Sequence, residues 1–432
     1  MTFLVVLLAL MALLYTGIPM FAGMFLFSAV VLWAVEGSVG TLGEFIFGKL
    51  DVYLLVAIPL FMLMAHFMVR GKVVDDLYAT AHTLVRHLPG GLGVATVFAC
   101  TIFASISGSS VATALTIGKV AIPQMLKYNY SPRGAYGVVA GGGTLGILIP
   151  PSAPMVLYGF VSDTSIGALF MAGLLPGLLL AAMFAAYCMI SEGIRERKLG
   201  AAYVRPPRAS LAEMGTALRK SMWALTLPPF VLIGIYLGVF TATEAAGTGA
   251  LWALLIAAGI YGTFRWRDLW EGAQEAARTT SMLFMIIVGA ALFGYMLTKL
   301  RIPQQAVELV VAAGLSKTQF LVAVMVLVFV LGLILESFSI ILITTPVILP
   351  VMAALGIDKV WYGVMLTINL ELALISPPVA MNLVVIKSIT GAPLKEIDIA
   401  AIPYMVMMAI GIALIVAFPE IALWLPGTMD YK

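Results

Sequence analysis

Charged residues are scarce in this chain of 432 amino acids. Asp, Glu, Lys and Arg make up 10% of it, whereas 62% of its residues are hydrophobic and the mean hydropathy is +1.08. A soluble core of this size does not need so apolar a composition, so the scarcity of charge indicates a chain surrounded mostly by lipid. Long apolar runs recur from end to end, which predicts a polytopic membrane protein.

Cysteine is nearly absent as well, and no nucleotide-binding motif is found. Cys100 and Cys188 stand in apolar runs, where they are predicted to be buried small hydrophobic residues outside any disulfide or metal framework. The stretch "TIGKV" lacks the spacing of a phosphate-binding loop, because Thr113 occupies the position of the first glycine and Val120 follows Lys119. No nucleotide cofactor is therefore expected, and an ion gradient is the expected driving force.

The apolar runs divide into continuous helices and two interrupted segments. The first run begins at Met1 without a basic flank or a cleavage site, so it is predicted to be a retained span and not a secretory signal. Continuous or broken apolar helices are predicted at about 2–15, 18–35, 53–69, 134–160, 166–190, 222–240, 245–263, 280–298, 359–387 and 399–424.

The two interrupted segments are 91–126 and 318–353, which carry the polar stretches 105–110 and 336–339 at their centres. Each half is about 15 residues long, or about 22 Å of helix, which is shorter than a hydrocarbon core of about 30 Å. Each segment is therefore predicted to be a re-entrant helical hairpin. Its tip must be buried in protein or line a wet cavity, because irregular backbone is not tolerated in contact with lipid.

Two proline landmarks recur at one interval, which indicates an internal repeat. Pro123 and Pro350 are separated by 227 residues, and so are Pro150 and Pro377. At the same interval Ser110 of the first polar tip corresponds to Ser337 of the second. Chance agreement among common prolines is the alternative explanation.

The two copies are predicted at 1–200 and 221–432, joined by a basic cytoplasmic linker at 201–220. Lys and Arg residues fall mostly on one side of the predicted helices, which places that side in the cytoplasm. Each copy then has an odd number of spanning helices, so the second copy is inserted upside down. Inverted repeats with broken helices, here 134–160 and 359–387, are typical of secondary transporters.

Three further features have local interpretations. The stretches 43–51 and 264–280 mix aromatic with charged residues and are predicted to be interfacial amphipathic arms. His82 and His87 are assigned to a polar loop that faces water or lipid headgroups.

The polar tips and the helix breaks carry groups that can hold an ion. Carbonyl groups at the end of one half-helix and serine hydroxyls are ligands for a hard cation, and N–H groups at the start of the next half-helix attract an anion. The stretch 142–152 adds a break beside the first tip, because Pro150 and Pro151 interrupt the helical ladder. The alternative is that these small residues only allow helices to pack closely.

Glu336 and Glu371 are the carboxylates predicted to lie deep in the membrane. An ionisable side chain at that depth is functional by default, so either carboxylate is a candidate for cation or proton coupling. The alternative is a protonated or hydrogen-bonded carboxyl that only ties the hairpin tip in place.

Three stretches closely resemble the large membrane (M) subunit of tripartite ATP-independent periplasmic (TRAP) transporters: "SISGSSVATALTIGKVAIPQM", "GGTLGILIPPSAPMVLYG" and "LESFSIILITTPVILPVM". The resemblance covers essentially the whole chain. It implies an all-α membrane protein with an elevator-type ion transporter fold, in which the hairpins and broken helices move against a scaffold. It also implies import of an organic acid, such as a C4-dicarboxylate or sialic acid, coupled to sodium ions across the bacterial cytoplasmic (inner) membrane.

The resemblance implies two protein partners. A small membrane (Q) subunit would enlarge the scaffold, and a periplasmic substrate-binding (P) protein would deliver the acid. Because the first copy begins at Met1, the Q subunit is expected to be a separate chain. The organic acid and the lipid bilayer are the other expected partners, and no nucleic acid is expected.

By the same resemblance, sodium ions would bind at the two clusters of tip and break, with the substrate between them. The expected sodium ligands are Ser105, Ser107, Gly108, Ser109, Gly143, Thr144, Pro150, Ser337, Ser339, Asn369, Ser376 and Pro377. The expected substrate contacts are Ser110, Ser152, Glu336, Glu371 and Asn382.

Other functions fit the sequence less well. An intramembrane hydrolase acting through Ser107 or Ser109 would need a nearby base, and the histidines are poorly placed to supply one, so no enzymatic activity is expected. A channel or scaffold protein would not need two inverted hairpins. The remaining alternative is a proton-coupled organic-anion transporter that works without a binding protein.

Overall fold

The computed structural model describes residues 6, 9, 12, 13, 15–38, 40, 42–70, 73–199, 207–262 and 265–429. The predicted helix at 2–15 lies largely outside the described residues, as does the part of the linker at 201–206. Within the described residues all regular secondary structure is helical, which confirms the predicted all-α fold.

The chain up to the linker forms helices α1–α9, and a short 3-10 turn at Tyr53–Val56 precedes α3. These helices are α1 (Met20–Glu36), α2 (Leu42–Leu50), α3 (Ala57–Arg70), α4 (Val73–Val85), α5 (Gly91–Ser107), α6 (Ser110–Lys127), α7 (Pro132–Leu148), α8 (Ala153–Ser162) and α9 (Ile166–Leu199).

The chain after the linker forms helices α10–α19, and a π-helical turn at Ile256–Ile260 extends α11. These helices are α10 (Leu211–Tyr236), α11 (Ala242–Leu255), α12 (Trp266–Lys299), α13 (Ile302–Ala312), α14 (Lys317–Gly332), α15 (Ser337–Ala354), α16 (Lys359–Leu374), α17 (Met381–Thr390), α18 (Leu394–Ala417) and α19 (Glu420–Gly427).

Several helical segments are suited to a membrane. Within the described residues, seven helical segments are long and apolar enough to cross one, which agrees with a multi-pass membrane protein. They are Tyr53–Arg70, Pro132–Ser162, Ile166–Lys198, Ala242–Ile260, Trp266–Lys299, Ser337–Ala354 and Leu394–Ala417.

Helix boundaries before and after the linker recur at the interval of the predicted repeat. Helices α6 and α15 begin at Ser110 and Ser337, and they end at Lys127 and Ala354, so both intervals are 227 residues. The two breaks also correspond, since the Pro150–Pro151 and Pro377–Pro378 peptide bonds are both cis. The inverted insertion of the second copy stays a prediction.

Each interrupted segment forms a pair of helices in contact, α5 with α6 and α14 with α15. The helices are interrupted between Ser107 and Ser110 and between Gly332 and Ser337. These half-helices are 16 to 18 residues long, slightly longer than the predicted 15 or so. Because α15 is among the segments long enough to cross a membrane, length alone does not establish re-entry.

The apolar pattern does not predict helices α4 and α13. Helix α4 carries Asp75 and Asp76 in its first turn and buries Leu77 and Tyr78 on its inner face. Because charged and hydrophobic residues alternate around this amphipathic helix, the stretch does not form an apolar run in the sequence. The assignment of His82 to a polar loop is wrong, because this half-buried side chain lies on α4. His87 follows the helix and is also half-buried, with its Nδ1 enclosed.

Three other boundaries differ from the sequence prediction. From Trp266 onward the predicted arm at 264–280 is continuous with the helix that follows it, because α12 runs without interruption to Lys299, and residue 264 lies outside the described residues. The predicted helix at 399–424 is two helices, since α18 ends before Pro419, which has no backbone N–H to continue the ladder. Helix α10 begins inside the predicted linker at Leu211, where Ser210 and Glu213 form a capping box.

Helix α7 lies at the centre of the fold, in contact with α5, α6, α9 and α18. Its glycines allow this close packing, because a Cβ atom at Gly142 would lie 2.8 Å from the Cys100 sulfur and one at Gly143 would lie 2.9 Å from Cβ of Ala114. Cys100 and Cys188 are both free and buried, as the sequence predicts. Helix α7 therefore positions the first hairpin, whereas the second hairpin packs on α8, α12, α13 and α16.

Candidate cation and substrate site

The first hairpin tip is a two-residue turn. Gly108 takes the left-handed backbone conformation with φ +59°, and its N–H donates to the carbonyl of Ala104 at 3.0 Å. The hydroxyl of Ser109 accepts the N–H of Ala112 at 3.3 Å and so caps the start of α6. Glycine after one helix and serine before the next are the residue types that such a turn favours.

The hydroxyl groups of the first tip form a local network. Thr113 donates to the carbonyl of Ser109 at 2.8 Å, and its oxygen lies 2.8 Å from the hydroxyl of Ser107. Thr113 is a residue that the sequence analysis misses, although it lies one helical turn after Ser109 and therefore on the same face of α6. Ser105 donates back to the carbonyl of Ile102 at 2.6 Å, so its hydroxyl hydrogen is already engaged within α5.

The first tip rests directly on the first helix break. A Cβ atom at Gly108 would lie 2.5 Å from the Pro151 carbonyl oxygen, and one at Gly146 would lie 2.5 Å from the Ser109 carbonyl oxygen. Ser152 accepts the N–H of Met155 at 3.4 Å and caps α8. The structure thus brings the predicted tip and break together.

A small cavity lies at this contact. Ser107, Gly108 and Pro151 line it together with Ile58 and Phe61 of α3, and its volume is about 10 Å³. That is about the volume that a single water-sized particle requires. Ser107 contributes a hydroxyl group to its lining, which is otherwise mostly apolar.

Thr144 lies away from the first tip. Its hydroxyl donates to the Gly141 carbonyl at 2.6 Å and lies 3.7 Å from the sulfur of Met408 on α18. Gly143 packs against Ala114 on the flank of α6, and Pro150 is buried in the break itself. The Thr144 hydroxyl is thus engaged with the carbonyl of its own helix and with α18.

The second tip is built differently from the first. Glu336 occupies the N-cap position of α15 but its carboxylate makes no capping hydrogen bond, and its side chain is half-buried. Ser337 and Ser339 are both buried, and the Ser339 hydroxyl has no hydrogen-bond partner among the described residues.

Three of the predicted sodium ligands lie at the second break. Asn369 donates from Nδ2 to the carbonyl of Met325 at 2.7 Å, which joins α16 to α14. Ser376 donates to the carbonyl of Leu372 at 2.6 Å. Pro377 is exposed, so it has no buried polar environment of its own.

The first tip and the second break meet at one hydroxyl group. Ser110 donates to Oε2 of Glu371 at 2.9 Å, and Nδ2 of Asn382 donates to the Ser110 oxygen at 2.6 Å. All three side chains are buried, and they come from α6, α16 and α17. We refer to Ser110, Glu371 and Asn382 as the Ser110 centre.

Two acceptor atoms of the Ser110 centre lack partners among the described residues. Oε1 of Glu371 and Oδ1 of Asn382 are both buried and accept no hydrogen bond there. A buried acceptor is costly unless a donor, a water molecule or a cation satisfies it. Thr345, on α15, is another buried hydroxyl without such a partner, and the sequence analysis does not select it.

These residues therefore fit a hard cation. The Ser110 centre offers carboxylate, amide and hydroxyl oxygens in a buried position, and the described residues contain no cluster of three His, Cys, Asp or Glu side chains that would hold a transition metal. Comparison with known proteins places the chain in a family. The model of the tripartite ATP-independent periplasmic transporter, DctM component, matches residues 4–421. The chain belongs to this family.

Characterised members of the DctM family are similar over most of the chain. The C4-dicarboxylate TRAP transporter large permease protein of Pseudomonas aeruginosa is 39% identical over 390 residues, which cover 90% of each chain. The sialic acid TRAP transporter large permease protein of Vibrio cholerae is 32% identical and covers 96% of each. The resemblance inferred from the sequence is thus confirmed, and the chain is a TRAP large permease subunit.

A further relative is longer than this chain. The isethionate TRAP transporter permease protein DctMQ of Oleidesulfovibrio alaskensis is 31% identical over 415 residues, which cover 96% of this chain and 65% of the relative.

Solved structures confirm the fold. The Neisseria gonorrhoeae MtrF structure matches with a TM-score of 0.64 and 13% identity over 91% of this chain and 85% of MtrF. The Alcanivorax borkumensis YdaH transporter matches with a TM-score of 0.59 and 16% identity over 89% of each chain.

Proposed function

We propose that this chain imports an organic acid across the bacterial cytoplasmic membrane, in symport with sodium ions and by an elevator movement. Its relatives are named as permeases for C4-dicarboxylates and for sialic acid, which makes an organic acid of these types the expected substrate. The cation and substrate sites are those of the Ser110 centre and the two tip-and-break clusters.

The free acceptor atoms of the Ser110 centre support sodium coupling most directly. Oε1 of Glu371 and Oδ1 of Asn382 belong to side chains that both bond to the same serine. A sodium ion beside them would satisfy two buried acceptors that otherwise cost free energy. Broken helices supply carbonyl oxygens for such an ion in other secondary transporters.

The packing of the helices supports an elevator movement. Helices α1, α3, α11 and α12 form a set joined by helix contacts and would be the scaffold. Helices α5–α8 and α14–α18 hold the two hairpins and the Ser110 centre and would be the moving group. The two groups touch along few helix pairs, notably α12 with α15 and α3 with α5. Movement of the second group against the first would carry the centre across the membrane without taking it apart.

We further propose that two proteins assist transport. A small permease (Q) subunit, as a separate chain, would extend the scaffold, and a periplasmic binding protein would deliver the acid. The DctMQ relative supports the small permease as a partner. It is longer than this chain, and its name combines the letters M and Q that denote the large and the small subunit.

Glu371 also supports a second candidate, a proton-coupled transporter of organic anions that needs no binding protein. Its buried Oε1 could carry a proton through the transport cycle in place of a cation beside it. The two candidates differ in the effect that they predict for Glu371→Gln. Under proton coupling, this variant has no titrating group left at the Ser110 centre.

Uptake by proteoliposomes that contain this chain and its small permease tests both candidates. Radiolabelled acids would be supplied with or without the binding protein, under an inward sodium gradient, an inward proton gradient or neither. Sodium-driven uptake is expected, and Ser107→Ala, Ser337→Ala and Glu371→Gln are each expected to reduce it by about tenfold or more. Ser388→Ala is the matched control, because this hydroxyl is exposed on α17 and bonds only within its helix.

Uptake that is the same with and without a sodium gradient would overturn sodium coupling. If a proton gradient then drives uptake, and Glu371→Gln abolishes it while Ser107→Ala and Ser337→Ala do not, the proton-coupled candidate holds. If neither gradient matters, both candidates fail.

A further inference from the structure

A cavity of about 330 Å³ lies between the four helices α2, α8, α12 and α15. Phe45 and Lys49 of α2 and Tyr295 of α12 form one wall, and Phe160 of α8 and Leu342 and Pro346 of α15 form the other. Small-molecule sites have volumes from about 300 Å³ upward. The cavity shares no lining residue with the Ser110 centre.

Aromatic rings dominate the wall that α2 and α12 contribute. The ring centroids of Phe45 and Tyr295 are 4.8 Å apart, and Nζ of Lys49 lies 5.8 Å from the Phe45 centroid. An ammonium group over an aromatic face is positioned without being neutralised. The cavity thus combines an apolar interior with one cation at its edge.

The charge of Lys49 is not balanced by any carboxylate among the described residues. Glu44 and Asp51, its nearest acidic neighbours in sequence, are exposed and form no ion pair with it. Lys299, the other lysine near the cavity, differs because Glu36 binds it at 2.5 Å. Lys49 is therefore the cation available to an incoming anion.

We propose that this cavity binds an amphiphilic anion, with its carboxylate or phosphate on Lys49 and its apolar body between Phe45, Tyr295 and Phe160. An organic acid with a polar body, by contrast, would leave its hydroxyl groups unpaired against these walls. The site is thus separate in both position and chemistry from the Ser110 centre, where the free groups are acceptors.

An occupant of this site would touch both the proposed scaffold and the proposed moving group. Helix α12 belongs to the proposed scaffold, whereas α8 and α15 follow the first break and the second tip. A ligand held between them would keep the two groups at one separation and so inhibit uptake without competing with the substrate. This inhibitory effect, unlike binding itself, rests on the proposed elevator function.

Titration calorimetry of the purified full chain in phosphatidylcholine nanodiscs tests the site with phenylbutyrate as the probe. Binding is expected, and Lys49→Gln is expected to weaken it by about fivefold to tenfold because the charged partner is lost. Lys49→Arg should retain binding, and the uncharged phenylbutanol should bind weakly. Ala291→Phe, which fills the cavity from α12, should also remove binding.

Lys317→Gln is the matched control, because Lys317 also lies over an aromatic ring, 5.4 Å from the Trp361 centroid, but outside the cavity. The proposal is overturned if phenylbutyrate does not bind, or if Lys49→Gln and Lys317→Gln have the same affinity for it. Melting temperatures identify any variant that fails to fold. If Lys49→Gln is one of these, the affinities of Lys49→Arg and Ala291→Phe for phenylbutyrate are compared instead.

The source of the natural anion is distinguished by repeating the titration in phosphatidylglycerol nanodiscs. Weaker phenylbutyrate binding there supports a lipid headgroup as the occupant, and unchanged binding supports a soluble carboxylate. The titration measures binding and not transport. Its outcome therefore does not depend on whether the proposed transport function is correct. Binding that leaves uptake unaffected would overturn only the inhibitory effect and count against the elevator movement.

Discussion

The hydroxyl of Ser110 donates a hydrogen bond of 2.9 Å to the carboxylate of Glu371, 261 positions further along the chain. Asn382 donates to the same hydroxyl at 2.6 Å, so one serine links the first hairpin tip to both sides of the second break. At the interval of 227 residues, Glu371 corresponds to Thr144, which has no carboxylate. The first break therefore has no carboxylate at the position that corresponds to Glu371.

Replacement of Ser110 by alanine is expected to destabilise the protein. The change removes the donor to Glu371 and the acceptor of Asn382 in a buried position, which costs about 1–3 kcal/mol. Ser337→Ala is the matched control, because Ser337 occupies the equivalent position but its hydroxyl makes no hydrogen bond that the structure shows among the described residues. Thermal denaturation in detergent without sodium measures the difference, and equal melting temperatures for the two variants would contradict it.

Sodium itself is expected to stabilise the protein through Glu371. A ligand that binds only the folded state at about one hundred times its dissociation constant adds about 2.7 kcal/mol. The melting temperature should therefore rise when sodium chloride replaces potassium chloride, and Glu371→Gln should abolish most of this rise. Glu308→Gln is the control, because Glu308 is exposed on α13. A rise of the same size in Glu371→Gln would show that the ion binds elsewhere.

Replacement of Gly108 by alanine is expected to separate the first tip from the first break. The new Cβ atom would lie 2.5 Å from the Pro151 carbonyl oxygen, and φ +59° disfavours any residue with a side chain. Gly356→Ala is the matched control, because φ is +62° there and nothing lies within 4 Å of the added atom. We expect about 1–2 kcal/mol for the backbone conformation in both variants and about 1–3 kcal/mol more for the contact in Gly108→Ala.

The melting temperatures and sodium-driven uptake of both glycine variants check this expectation. Gly356→Ala should keep its uptake, whereas Gly108→Ala should lose it. Equal destabilisation of the two would mean that the backbone at Gly108 moves away from Pro151 at little cost.

His82 is expected to make stability depend on pH. Burial lowers the pKa of His82 below its usual value, and the charge of Arg86 lowers the pKa further. The unfolded chain then binds more protons than the folded one as pH falls, so stability present above about pH 6.5 is lost below it. His82→Gln should show a smaller fall in melting temperature between about pH 7.5 and pH 5.5 than the parent. An unchanged fall would assign the effect to other groups.

The interrupted segments show what the sequence predicts well. Glycine, serine and proline clusters inside long apolar runs are local signals, because they disfavour helix wherever the chain folds. The helices accordingly stop at Ser107 and restart at Ser110, inside the stretch that the sequence marks. The same argument identified both proline breaks.

Amphipathic helices show what the sequence predicts poorly. Helix α4 has Asp75 and Asp76 beside buried Leu77 and Tyr78, so it cannot be recognised in the sequence as an apolar run. Its inner face is defined by helix α10, where Ser221 lies 2.7 Å from the Thr80 hydroxyl. That partner is 141 positions away, so no local pattern contains it.

The sequence by itself determined the all-helical membrane fold, the family and the positions of the two tips and the two breaks, because composition and helix-breaking residues act locally. Only the tertiary structure decided which of these polar residues meet. It joined Ser110 to Glu371 and Asn382, and it turned Thr144 toward Met408 instead. The reason is physical: a buried hydroxyl or carboxylate is satisfied by whichever group the packed helices bring to it, and that group can lie anywhere in the chain.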